Sequence, residues 1–164
     1  MPLLNNGDAF PKLTVPAVGG GQIALPDAFA GAWGVVIVYR GAWCPFCNAQ
    51  LAGFAAEKDA LDGLGVRVVA LSVDDEATSA ATAAKNHLQF PVGHSADADA
   101  VRAATGAFVN PTPHYLQPAG FVLGPDGTVK AAVYATSAIG RMLAKDVVGF
   151  VGYLKSVAAK AAAE

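Results

Sequence analysis

The sequence predicts an α/β fold with a central mixed sheet flanked by helices, and three observations carry that prediction. Residues 34–39 and 66–73 are short apolar runs without alternation, rich in β-branched side chains, as strands covered on both faces are. A helical repeat lies between them, at a separation that suits a right-handed crossover joining parallel strands. Near the C-terminus, Asp126-Gly127 separates two further strand candidates and supplies the positive backbone angles of a tight antiparallel hairpin.

The elements follow in order. Gly19-Gly20-Gly21 marks a turn between short strands at 13–15 and 22–25, predicting a small N-terminal hairpin. The first central strand, 34–39, ends at Arg40-Gly41. Pro45 suits a first helical position, Leu51, Phe54, Ala55, Lys58 and Leu61 continue a helical repeat, and Gly63 or Gly65 stops it. After strand 66–73, Asp74 or Asp75 caps a helix reaching about His87, and Asp97 opens a shorter one reaching Ala104. A proline-rich loop occupies 111–118. The hairpin comprises 119–123, the turn 124–127 and 128–134. Leu143, Val147, Val151, Leu154 and Val157 then describe the core face of a terminal helix over about 142–161.

With 164 residues, 54% hydrophobic and 15% charged, the chain suits one well-buried core, and residues 1–164 read as a single domain without internal repeats. A net charge of −2 and a pI near 5.8 offer neither the basic stripe of a nucleic-acid binder nor a polybasic membrane patch. The uncharged stretch 103–125 is unsuited to a bilayer, because it holds four prolines with Asn110, His114 and Gln117. Residues 1–12 lack a basic head followed by an apolar run, so the expectation is no targeting peptide and a cytoplasmic setting.

The chemistry concentrates at Trp43-Cys44-Pro45-Phe46-Cys47. These are the chain's two cysteines, too close together to staple a fold. A Cys-x-x-Cys after a buried strand and opening a helix meets the context of a thiol redox motif, since unpaired amides and the helix dipole stabilise a thiolate. Three residues apart, the two side chains share one side of the first turn and can join as a reversible disulfide. A zinc half-site and two inert core cysteines are the competing readings of such a pair, but for zinc His87, His94 and His114 are scattered and none has ligand-type spacing to another. No metal and no cofactor are therefore expected.

The segment from Val38 to Leu51 resembles the active-site segment of the peroxiredoxin-like branch of thioredoxin-fold proteins, the AhpC/TSA group. Gly7-Asp8-Ala9-Phe10-Pro11 resembles the opening of those proteins, Asp27-Ala28-Phe29-Ala30-Gly31 their segment before the first central strand, and Phe90-Pro91-Val92 their later Phe-Pro strand. The resemblance implies a thioredoxin-like fold with the N-terminal hairpin as an extension. It also implies a thiol-dependent peroxidase regenerated by a thioredoxin-like or low-molecular-weight thiol.

Two departures set this chain apart from the typical pattern. Peroxiredoxins place a threonine or serine three residues before the peroxidatic cysteine and a proline seven before it. On that alignment Cys47 attacks, yet those positions hold Cys44 and Arg40. Where the family carries an arginine before a later strand, this chain has Pro118, which resembles the cis-proline facing the cysteine pair in thioredoxins. Arg40 and Arg141 are the candidates to replace the missing arginine, favouring the thiolate and polarising a peroxide oxygen. Trp43 flanks the site. Exposure at the helix start nominates Cys44 as attacker and the alignment nominates Cys47. A protein disulfide oxidoreductase and a non-enzymatic redox sensor remain alternatives to peroxide reduction, and oligomeric state is left open.

Overall fold

The computed structural model describes residues 3–164; Met1 and Pro2, which the sequence reading counts in the domain and in its opening segment, lie outside the described residues. The N-terminal hairpin forms as expected, β1 (Leu13–Pro16) pairing antiparallel with β2 (Gln22–Leu25). Central strand β3 (Trp33–Val38) leads into helix α1 (Pro45–Ala56), helix α2 (Lys58–Gly63) and strand β4 (Val66–Leu71). Then come α3 (Glu76–Lys85), β5 (Val92–Gly93), α4 (Ala98–Thr105), β6 (Val109–Asn110), β7 (Tyr115–Leu116), β8 (Ala119–Leu123), β9 (Val129–Tyr134) and α5 (Ala144–Ala163).

The main sheet runs β5-β4-β3-β8-β9. Strand β3 sits at its centre, parallel to β4 and antiparallel to β8, so the sheet is mixed as the sequence predicts. Because successive strand side chains point to opposite faces, β3 feeds two cores. Val36 and Val38 join Phe121, Leu123 and the hairpin's Val15 and Leu25 on one side, which α4 covers through Val101. Val35 and Ile37 join both cysteines, Leu51 and Phe54 of α1, and Val147 and Val151 of α5 on the other. This double burial explains the unalternating apolar runs.

Four local expectations are corrected. The single helix expected from Pro45 to Gly63 or Gly65 breaks at Glu57, whose ψ of 16° leaves the helical range and whose amide is shared between Gly53 and Ala55 carbonyls. The proline-rich segment is not all loop, since β6 and β7 pair across a tip at 111–114. Helix α5 starts two residues later than expected, and of its expected core face Leu143, the N-cap, and Val157 are exposed, whereas Val147 and Val151 are buried. The Gln117–Pro118 bond is trans; the cis bonds among the described residues are Leu25–Pro26 and Thr112–Pro113.

Candidate active site

The C-terminal end of β3 delivers the site. Beyond Val38 the chain passes through buried Tyr39, and Gly41 lets it turn tightly. A Cβ on Gly41 would lie 2.5 Å from Trp43 Nε1 and 3.1 Å from Asp74 Oδ1, so a side chain at that position would be crowded out. The Ala42 amide donates to Asp74 Oδ2 at 2.8 Å. Asn48 Nδ2 holds the Ala42 and Cys44 carbonyls at 2.9 and 3.0 Å, and Asn86 Nδ2 in turn donates to Asn48 Oδ1 at 2.8 Å. These bonds hold the loop that presents Cys44.

Cys44 is the N-cap of α1, with extended backbone, Pro45 behind it, and its Sγ accepting the Cys47 amide at 3.3 Å. A sulfur thus takes the place that an oxygen side chain usually holds at a helix start, facing the positive end of the dipole. Cys47 lies one turn in, its Sγ accepting the Arg40 amide at 3.3 Å. Both cysteines are free thiols and both are fully buried, so the exposure expected of Cys44 at the helix start is not observed.

Two guanidinium groups converge on the sulfurs. Arg141 Nη2 lies 3.1 Å from Cys47 Sγ and 3.4 Å from Cys44 Sγ, while Arg40 Nη1 lies 3.9 Å from Cys44 Sγ. Arg141 is therefore the nearer of the two. It is braced by Nε donating to the Ala138 carbonyl and Nη1 donating to Gln50 Oε1, both at 2.8 Å. Arg40 instead lies 4.7 Å from the Trp43 ring centroid and donates through Nη2 to Tyr115 Oη at 3.0 Å.

The surroundings divide the two thiols. Burial pushes Cys44 up, but donation from the Cys47 thiol and amide and the charge of Arg40 and Arg141 outweigh it, leaving Cys44 below the ordinary thiol range. Burial also pushes Cys47 up, its own donation to Cys44 pushes it further, and the Arg40 amide and Arg141 offset only part of this. Of the pair, Cys44 is therefore the more readily ionised and Cys47 the more firmly protonated.

Of the residues singled out from sequence, Cys44, Cys47, Arg40 and Arg141 meet directly, and Trp43, 55% exposed, covers Arg40 from outside. Pro118 shares a small cleft with Gln50 and Arg141. His114 sits on the hairpin tip, 3.4 Å from Asp99. Gln50, Asp74 and Tyr115 escaped the sequence reading. Gln50 left a signal, being polar on the face of α1 that also carries Cys47, Leu51 and Phe54; Tyr115 left none. A groove of about 560 Å³ between Phe46, Ala49 and Gly53 of α1 and Ile139 and Leu143 has Arg141 among its lining residues.

The AhpC/TSA family model matches residues 6–132. The chain belongs to the AhpC/TSA family. It is 29% identical over 147 residues to a peroxiredoxin of Methanothermobacter thermautotrophicus, covering 86% of this chain and 68% of that protein. A match to 1-Cys peroxiredoxin PER1 of Arabidopsis thaliana, 33% identical, covers 46% of this chain and 34% of the relative. Among solved structures, AhpC of Mycobacterium tuberculosis superposes with a TM-score of 0.79 at 21% identity, covering 94% of this chain and 95% of that one. A mutant of peroxiredoxin 6 of Arenicola marina gives 0.80 at 19% identity, covering 94% and 75%. These likenesses bear out the thioredoxin-type fold. With its cysteine pair, this member of the AhpC/TSA family is a thiol-dependent oxidoreductase of peroxiredoxin type. No helix among the described residues is long and apolar enough to cross a membrane.

Proposed function

We propose that the chain, folded as one domain over residues 1–164, reduces peroxides with Cys44 as the attacking thiolate and Cys47 as its resolving partner. The observation that supports this most is the asymmetry of the pair: Cys44 caps α1 beside Arg40 and Arg141 and is shifted towards the thiolate, while Cys47 is shifted towards the thiol. The Cys44 thiolate attacks one peroxide oxygen, the O–O bond breaks, and Cys44 becomes a sulfenic acid. The Cys47 sulfur then displaces the sulfenic oxygen as water, its proton leaving with that oxygen, and the Cys44–Cys47 disulfide forms. Arg141 polarises the reacting oxygens, Arg40 and Trp43 enclose the thiolate, and Pro118 lines the cleft behind Arg141. An external thioredoxin-like or low-molecular-weight thiol returns the disulfide to two thiols. A cytoplasmic setting, where such reductants hold thiols reduced, suits this cycle.

Stopped-flow oxidation of the reduced protein by hydrogen peroxide, followed by fluorescence and intact mass, tests the reading. A second-order constant above roughly 10⁴ M⁻¹s⁻¹ is expected; a rate no faster than that of a free thiol overturns it. Cys47→Ser should accumulate sulfenic acid on Cys44, and Cys44→Ser should form none. A second reading, protein disulfide exchange, draws on the exposed Trp43, Phe46, Ile139 and Leu143, large apolar side chains on and around the cysteine segment. Disulfide-linked clients captured by Cys47→Ser, together with slow peroxide oxidation, would favour it.

A further inference from the structure

Cleavage of the peroxide by Cys44 needs a proton source. When a thiolate takes one peroxide oxygen, the other departs with the bonding electron pair and must be protonated. Arginine stays protonated and supplies only hydrogen bonds, and the Cys47 proton is used in forming the disulfide.

Tyr115 shares the Arg40 guanidinium with Cys44. Arg40 is a planar fork with Cys44 Sγ on one arm, 3.9 Å from Nη1, and Tyr115 Oη on the other, 3.0 Å from Nη2. The thiolate and the phenol are thus presented side by side by one rigid group. The Tyr115 ring packs edge-on against Trp43 at 4.9 Å and lies 5.3 Å from the Arg40 guanidinium, which fixes the direction of its hydroxyl. Its strand β7 is held against β6, with the Gln117 amide bonded to the Phe108 carbonyl at 2.8 Å and Asn110 Nδ2 to the Pro113 carbonyl at 2.7 Å. The phenol oxygen accepts from Arg40, which leaves its own O–H free to donate; among the described residues no acceptor is bonded to it.

We propose that Tyr115 is a catalytic residue, the general acid that protonates the departing peroxide oxygen. This rests on the peroxidase reading with Cys44 as attacker. In the step, the Cys44 thiolate, ROOH and the Tyr115 phenol give Cys44 sulfenic acid, ROH and a Tyr115 phenolate. Sulfur loses two electrons, the O–O bond gains them, and one proton moves from Tyr115 to the leaving oxygen. A phenol is a stronger acid than water or an alcohol, so the transfer runs downhill. The phenolate sits beside the Arg40 cation until water returns the proton.

The test uses Tyr115→Phe, which keeps the ring edge-on against Trp43 and removes only the hydroxyl, and three oxidants: hydrogen peroxide, tert-butyl hydroperoxide and peroxyacetic acid. The first two leave as hydroxide or alkoxide and need the proton, whereas peroxyacetic acid leaves as acetate and does not. The expected result is a loss of about 100-fold in the oxidation rate constant for the first two, within the usual range for general acid catalysis. The constant for peroxyacetic acid should stay unchanged, as should the thiolate titration followed by absorbance at 240 nm. Equal losses for all three oxidants, or a displaced titration, would mean that Tyr115 only positions Arg40, and would overturn the proposal. A fast wild type matched by Tyr115→Phe on every oxidant removes the role of the tyrosine alone, while a wild type no faster than a free thiol removes the peroxidase reading with it.

Discussion

Arg141 carries the sharpest prediction at the scale of single residues. Replacing it with Gln removes a charge that touches both sulfurs but leaves a polar side chain beside Gln50. The Cys44 titration should move up, and alkylation by iodoacetamide near pH 6 should slow by about 10-fold, since a charge-assisted bond of this type contributes about 1.5–3 kcal/mol. Asp74 gives a different signature. Burial raises its pKa, the Ala42 amide lowers it and Asp75 raises it, with a net rise. A raised carboxyl favours the folded state below its unfolded value and loses that advantage as pH climbs through the folded one. Stability should therefore fall as pH rises from about 4, and Asp74→Asn, still able to accept from Ala42, should flatten that slope in denaturation measured across this range. Cys44, Cys47, Arg40 and Arg141 were legible as candidates because their chemistry is local to a motif or to charge. Tyr115 was not, because it reaches Arg40 across 75 positions of chain and nothing near it in sequence marks the encounter.

The elements that place these residues were legible wherever periodicity was strong. Strands β3, β4 and β8 and the DG hairpin appear at their expected positions because each is a run whose burial pattern leaves one structural solution. The break at Glu57 was hidden, since α1 and α2 keep the same apolar phase across it, and so was the pairing of β6 with β7, two residues each and dense in proline. Gly34 in β3 shows how tightly the elements fit: a Cβ there would lie 2.4 Å from the buried Phe29 ring. Gly34→Ala should lower unfolding stability by about 1–3 kcal/mol through overpacking, measured by urea denaturation, with the midpoint shifted and the slope unchanged.

Across the whole molecule, one sheet separates two cores and β3 belongs to both. Its amides should be the slowest to exchange with deuterium, opening only with global unfolding. The outer half of α5, by contrast, is exposed from Lys155 onward, so removing 157–164 should leave the midpoint of denaturation nearly unchanged. The pair of guanidinium groups at the sulfurs reaches further than the first chemical step. In the dithiol state they neutralise a thiolate; once the disulfide forms, that negative charge is gone and two positive charges face a neutral bond. The reduced state is thereby favoured and the reduction potential raised, about 30 mV for every tenfold shift in the equilibrium. This chain should give up its disulfide readily to the next thiol it meets, and Arg141→Gln should make it a weaker oxidant in equilibrium with glutathione.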